Sequence, residues 1–294
     1  MFTLNNLNIA QVFILKLTFF VINVSFVHII LEETEGRKMK RLWIIPKKAI
    51  RNSLLFLAFV CCLFLFCKPA ELIDTVSAAI KKENPIYFVY TDENKISLSF
   101  DAAWGCEHTE DILSILKAND IKATFFLTNI WLEAYPEMAE KIAADGHEIA
   151  MHSVSHPHMN SLSKEEITRE IEDNKALIIS TTGYTPVLFR MPFGEYNNLV
   201  VTTVQELGYY PIQWSIDSLD WQENATASSI IQKVTEKLHS GAIILMHNNG
   251  SYTADALPNI ITYAKEHNYQ FVPIGDLIYS TPYNVDTQGG QSQD

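Results

Sequence analysis

From about residue 94 onward, short uninterrupted apolar runs alternate with longer stretches in which apolar positions recur every three or four residues. Runs such as Ala242-Ile-Ile-Leu-Met246 are too short for a stable helix and fit strands buried on both faces. The pattern predicts strands at 95–101, 122–128, 147–151, 186–190, 209–216, 242–247 and 270–273. Helical periodicity fills 107–119, 135–144, 163–181, 196–207, 226–239 and 255–267. Ser163 with Glu166 forms a capping-box signature ahead of the third of these helices. Pro136 suits a first-turn position, where its missing N–H costs nothing. Gly146, Gly183, Gly208 and Gly241 fall where helices should stop in a left-handed residue. A further strand at 86–91 is expected to pair with 95–101 as a hairpin through Asp92-Glu93-Asn94.

Alternating strands and helices imply a parallel sheet with right-handed crossovers, either an open doubly wound sheet or a closed barrel. No glycine-rich phosphate loop follows the first strand, which argues against nucleotide binding.

The first part of the chain reads differently. Two apolar runs, Leu17–Leu31 and Leu54–Phe66, flank residues 37–51, which carry Arg37, Lys38, Lys40, Arg41, Lys47, Lys48 and Arg51 and no acid. Both runs are shorter than the roughly 20 residues of a spanning helix. The second follows the layout of a secretory signal, a basic region and then a short apolar core. Residues 39–68 therefore read as a signal peptide or an uncleaved signal-anchor, with Val76-Ser77-Ala78 a distant cleavage candidate. The excess of positive charge keeps the basic stretch in the cytoplasm and places the body outside, membrane-anchored or secreted. Met39-Lys40-Arg41 would itself open such a signal, so residues 1–38 are either a misassigned start or an extra apolar segment. Residues 69–93 read as linker and edge strand, and 282–294, rich in Gln and Gly, as a disordered tail.

Composition sharpens the division. The 294 residues carry a formal charge of −12, yet positions 52–294 alone carry −17. An acidic body excludes a general nucleic-acid binder, because the phosphate backbone demands a basic surface. Cys61, Cys62 and Cys67 lie in or beside the second apolar run, which leaves Cys106 alone in the body without a disulfide partner there.

The candidate chemistry collects where the strands end. Asp101, His152, Arg190, the pair Asp217 and Asp220, and His247 stand at or just beyond the C-terminal ends of five predicted strands. A barrel or parallel sheet gathers its active site at that edge. His152 and His156, four residues apart, would converge on one metal ion if the intervening residues made a helical turn. Two histidines, a carboxylate and an open position form a hydrolytic metal arrangement.

Five ordered motifs carry a resemblance over residues 94–281. They are Ser99-Phe100-Asp101-Ala102, His152-Ser153-Val154-Ser155-His156, Arg190-Met191-Pro192-Phe193-Gly194, Asp217-Ser218-Leu219-Asp220-Trp221 and Leu245-Met246-His247. This set resembles the polysaccharide deacetylases of the NodB-homology family, carbohydrate esterase family four. The resemblance implies an α/β fold, a deformed (β/α)7-type barrel behind the signal or membrane-anchor segment. It implies a polysaccharide substrate and a divalent metal ion, zinc in the first place with cobalt or nickel as alternatives, held by His152 and His156. Asp101 would be the base acting on metal-bound water and His247 the acid that protonates the leaving amine. Asp220 would orient His247, and Arg190 would hold Asp101 ionised. Trp214 and Leu245 would wall the acyl pocket, with Pro192, Phe193 and Gly194 beside the substrate and a nearby loop amide facing the oxyanion. Trp104-Gly105 is similar to a subgroup associated with sporulation and envelope remodelling, which points to peptidoglycan amino sugars, with other polysaccharides as alternatives.

One position departs from the family. Its second aspartate, the usual third metal ligand, is Ala102 here. Either Asp101 moves into the metal shell, leaving Glu107 or hydroxide as base, or Glu107, His108 or His158 supplies the ligand, or metal and activity are weakened. Three functional readings follow: an envelope-facing N-deacetylase, a catalytically weak or silent glycan-binding module on the same fold, and a different amidohydrolase in which the same water chemistry acts on another acylated amine. The oligomeric state is left open.

Overall fold

The computed structural model describes residues 82–293 together with Asn52, Ser53 and Phe56. The basic stretch, Met39, the Val76–Ala78 site, Cys61, Cys62, Cys67 and, apart from Phe56, both apolar runs lie outside the described residues. Among the described residues no helix is long and apolar enough to cross a membrane. One compact unit begins at Lys82 and runs to the C-terminus.

Its elements follow the predicted alternation closely. After β1 (Phe88–Val89) come β2 (Lys95–Ala102), α1 (Thr109–Ala118), β3 (Thr124–Leu127), α2 (Asn129–Ala134), α3 (Pro136–Ala144) and β4 (Glu148–Met151). Then follow α4 (Lys164–Thr182), β5 (Leu188–Arg190), α5 (Asn198–Glu206), β6 (Tyr210–Ile212), β7 (Ile216–Asp217) and α6 (Ala227–Thr235). The remainder is β8 (Ile243–His247), α7 (Thr253–Glu266), β9 (Gln270–Phe271), α8 (Ile274–Leu277), β10 (Tyr283–Val285) and β11 (Gly290–Gln293). The local signals act as expected. Ser163 and Glu166 close a reciprocal capping box, Pro136 opens α3, and Gly183 ends α4 in the left-handed region.

The main sheet is parallel and curled, with strand order β6-β5-β4-β3-β2-β8-β7 and β9 added beside β2. Its outer members, β6 and β7, are separated only by Gln213–Ser215. The run expected as one strand over 209–216 therefore changes partner midway. Its first part pairs with β5 and its last with β8. The curl returns on itself through this one kinked segment, as a deformed (β/α)7 barrel requires.

The segment at 86–91 corrects the hairpin expectation. β2 already has β3 on one side and β8 on the other, so neither edge is free for an antiparallel partner. Instead Ile86 pairs with the free side of β6, donating to Pro211 O at 2.8 Å and accepting from Gln213 N at 2.7 Å. Val89 N donates to Gly241 O at 2.9 Å, below β8. The segment thus fills the lower part of the split between β6 and β8. Gly241 has φ +79°, and any Cβ there would run into the Val89 carbonyl.

Strand alternation sorts side chains onto two faces. Phe100, Leu127, Met151 and Met246 join the helices in the larger, outer core. Phe126, Ala150, Leu188 and Ile243 form the smaller core inside the curl. The same parity puts Asp101 on the inner face at the C-terminal edge and Ala102 in the outer core.

The C-terminal segment is also a correction, because it is ordered. β11 lies between β1 and β10 in a three-stranded sheet, parallel to β1 and antiparallel to β10. Composition misleads here because the polar side chains satisfy backbone groups. Asp286 Oδ1 accepts from Gln288 N and Gly290 N at 2.8 and 2.9 Å. The fully buried Gln291 exchanges two 2.8 Å bonds with the Tyr279 backbone. Deleting residues 290–294 is expected to lower stability by about 2–4 kcal/mol, since several buried hydrogen bonds go at once. An unchanged urea midpoint would return the tail to the status of a dispensable appendage.

Candidate active site

Parity and register bring four polar side chains to the inner rim. In the β2 ladder Asp101 stands opposite His247 of β8, while Arg190 ends β5 and His152 follows β4. Arg190 is completely buried and donates through Nη1 to Asp101 Oδ1 at 2.6 Å and through Nη2 to Gln213 O at 3.2 Å. Its guanidinium lies 3.9 Å from the centre of the Phe126 ring. Burial alone would raise the Asp101 pKa, but the charges of Arg190, His152 and His247 and the Arg190 hydrogen bond together hold it below the usual carboxylate range. Asp101 is therefore ionised at neutral pH.

Beside Asp101, on the neighbouring strand β8, His247 Nδ1 donates to Asp220 Oδ1 at 2.7 Å. Asp220 Oδ2 accepts from His247 N at 2.7 Å and from the hydroxyl of Thr253, at the start of α7, at 2.6 Å. Burial pulls the His247 pKa down, but the bond to Asp220 and the charges of Asp220, Asp101 and Asp217 carry it above its ordinary value. In the imidazolium form the second proton is carried by Nε2, the outer nitrogen. Asp217 caps its own turn by accepting from Leu219 N at 2.8 Å, and burial raises its pKa.

The two histidines meet by a route other than the one expected. Residues 152–158 make no helical turn. Ser153 and His156 adopt positive φ of 78° and 53°, and Ser153 Oγ accepts from His156 N at 3.0 Å. The resulting bend sets the two rings 5.0 Å apart at 74°. Non-glycine residues in this region are strained, and the strain is held in place from α4. Asn174 Oδ1 accepts from His152 N at 2.9 Å, and Glu170 accepts from Val154 N, Ser155 N and Ser155 Oγ at 2.8–2.9 Å. Glu170, Asn174 and Thr253 escaped the sequence reading. The buried Asn174 had left a trace, since it interrupts the apolar stripe Ile167, Ile171, Ile178 of its helix.

His152 Nδ1 lies 2.8 Å from Arg190 O, a group that can only accept, so the proton sits on Nδ1. Burial lowers the pKa of His152, and burial with neighbouring His152 brings that of His156 to about 4, so both rings are neutral. His152 Nε2 then turns a lone pair toward Asp101 Oδ2 at 3.5 Å, and His156 Nδ1 is buried without a partner. The free lone pair of His152 and the neutral His156 ring packed against it are the residues that would hold a divalent cation. A third dedicated ligand is missing: Ala102 is buried in the outer core, and among the described residues no group of three His, Cys, Asp or Glu is arranged around one point. The substitutes suggested by sequence are occupied or displaced. Glu107 accepts from Cys106 N at 2.9 Å, His158 pairs with Glu195 at 2.9 Å, and His108 stands at the N-terminus of α1.

Trp214 packs against the inner core with its ring 5.6 Å from the Arg190 guanidinium, and Leu245 shares a face of β8 with His247. Gly194, with φ +67°, lets Trp214 pass where a Cβ would sit 2.8 Å from its ring. The Pro192–Gly194 turn puts Phe193 at φ 59° and leaves its ring exposed. The amides of Gly194 and Glu195 donate to Met191 O and Pro192 O, so they are spent within the turn and do not face an oxyanion.

The family described as polysaccharide deacetylase matches residues 89–212. The uncharacterised protein YlxY of Bacillus subtilis is 35% identical over 198 residues, 67% of this chain and 61% of that protein. A peptidoglycan-N-acetylglucosamine deacetylase of Bacillus cereus is 31% identical over 195 residues, 65% of this chain and 91% of its own length. The crystal structure of BA3943 from Bacillus anthracis, described as a carbohydrate esterase family 4 pseudoenzyme, superposes with TM-score 0.63. It is 34% identical and covers 66% of this chain and 68% of its own. A mutant of BA3943 is described as having restored enzymatic activity.

The raised His247 pKa fixes a pH window. Its stabilising contribution is complete below the unfolded value of about 6.5 and is lost as pH rises through the higher folded value. Urea midpoints should fall across that interval in the wild type. In Asp220→Asn this part of the pH dependence should vanish, and a wild-type profile in the variant would refute the pairing.

Proposed function

The chain belongs to the polysaccharide deacetylase family, and on that premise we propose that its body removes N-acetyl groups from an extracytoplasmic glycan, with peptidoglycan amino sugars as the favoured substrate. The observation that carries the reading is a pair of ionisable groups driven in opposite directions across one rim. Asp101 is held as carboxylate by Arg190, and His247 is biased toward imidazolium by Asp220. A base and an acid kept in complementary states at one pH are what amide hydrolysis requires.

In this reading Asp101 Oδ2 takes the proton of the attacking water while Arg190 keeps the carboxylate fixed. His247 Nε2 delivers a proton to the departing amine, and Asp220 holds the ring through Nδ1. Trp214 and Leu245 bound the space for the acetyl methyl. A divalent ion held by His152 and His156 would polarise the acyl carbonyl and ease ionisation of water. Peptidoglycan follows from what the named relatives are said to act on, and extracytoplasmic action from the basic and apolar leader together with those relatives.

Ala102 favours a second reading, a silent glycan-binding module, since without a third ligand the ion is held only weakly. Acetate release from N-acetylglucosamine oligomers and purified peptidoglycan, with zinc, cobalt or nickel added, separates the two. Under the first reading wild type releases acetate, and Asp101→Asn or His247→Ala loses about 10²–10⁴-fold. Absence of release with every metal would sink the first and leave the second.

A further inference from the structure

The ring of His247 is held by Asp220, and Asp220 has to be held in turn. Its Oδ1 accepts from His247 Nδ1, and its Oδ2 accepts from His247 N at 2.7 Å and from the Thr253 hydroxyl at 2.6 Å. Two of these three donors belong to His247 itself. Among the described residues Thr253 is the one side chain from elsewhere that fixes the carboxylate. Both residues are buried. The hydroxyls that begin α4 and α6 serve their own helices, Ser163 accepting from Glu166 N and Thr226 from Ser229 N. Thr253 begins α7, whose N-cap Tyr252 makes no side-chain cap bond, and its hydroxyl is directed out of the helix to Asp220.

Gly250 makes that approach possible. It lies in the turn between β8 and α7, where its N–H donates to His247 O and its carbonyl accepts from Thr253 N. It is not in the left-handed region, so the backbone does not demand glycine there. Space does. A Cβ would stand 2.3 Å from Thr253 Oγ1 and 3.0 Å from Asp220 Oδ2.

We propose that Thr253 is a positioning residue for the acid, with Gly250 the gap that admits it. The hydroxyl fixes the rotation of the Asp220 carboxylate and, through Oδ1, the plane of the His247 ring. The last torsion of an aspartate is broad, so a carboxylate oxygen left with one donor lets the other oxygen drift from Nδ1. The proposal rests on the reading of His247 as the proton donor in amide hydrolysis and deepens it. Ala102, on the outer face, has no part in it.

The test compares variants by acetate release and by the downfield proton resonance of the His247 Nδ1–H, identified by its absence in His247→Ala. Thr253→Val keeps the shape and removes the hydroxyl. It should lower kcat by about three- to tenfold, the worth of one net hydrogen bond, with KM unchanged. It should also move the resonance upfield and speed its exchange with water. Thr253→Ser should restore both. Gly250→Ala should reproduce the loss, and should cost less in a Thr253→Ala background, where the atom it strikes is gone. Thr226→Val, which uncaps α6, should lower stability and leave kcat and resonance unaltered. Circular dichroism establishes that the variants are folded. An unmoved resonance in Thr253→Val, a loss that falls on KM alone, or no recovery in Thr253→Ser would overturn the assignment. A wild type without the resonance has no fixed bond for Thr253 to hold and would overturn it too. A wild type that shows the resonance and releases no acetate would remove the deacetylase reading, and the shift in Thr253→Val would then decide the role of Thr253 by itself.

Discussion

A guanidinium buried at the centre of a curled sheet must be paired, because an isolated charge there would cost several kcal/mol. Arg190 meets that constraint with a single carboxylate, and in doing so ties together the strands that form the mouth. Nη1 holds Asp101 of β2, Nη2 reaches the backbone just after β6, and the carbonyl of the same residue fixes the tautomer of His152 after β4. Phe126 of β3 lies under its face. Removing Asp101 would therefore leave a buried cation unpaired as well as remove a reactive group. Structural and chemical demands on this carboxylate point the same way.

The second constraint is strain. Two non-glycine residues in the left-handed region bring the His152 and His156 rings together, and α4 supplies the hydrogen bonds that make this bend tolerable. The histidine pair survives intact although the position that should complete it is a methyl group. The methyl sits in the outer core with Phe100 and Leu127, a place where a carboxylate without a metal would be costly. An apolar residue at 102 thus suits the fold in the absence of an ion. The likeness to a protein described as a pseudoenzyme fits this picture as well as the likeness to active deacetylases does.

Much of the scaffold was legible from pattern alone, for reasons that are local. A strand run such as 243–247 or a capped helix such as 164–182 is decided by periodicity and by backbone groups within a few residues. The polar strand ends Asp101, His152, Arg190 and His247 were legible for the same reason, since parity and strand direction place them on one rim. The expected hairpin at 86–91 and the expected disorder over 282–294 failed because the pairing of these segments depends on distant partners. The free side of β6 receives Ile86, and β1 receives β11. A polar composition gives no hint that Gln291 will find the Tyr279 backbone.

The amino-acid sequence by itself determined the alternation of strands and helices, the residues available at the strand ends, and the absence of a carboxylate at position 102. All three are written in residue type and spacing of two, three or four. Only the tertiary structure decided which of those residues meet. It closed the curl through one kinked segment and bent the histidine loop against Glu170 and Asn174. These choices depend on contacts between residues far apart in the chain, whose energies exist only once the sheet has curled.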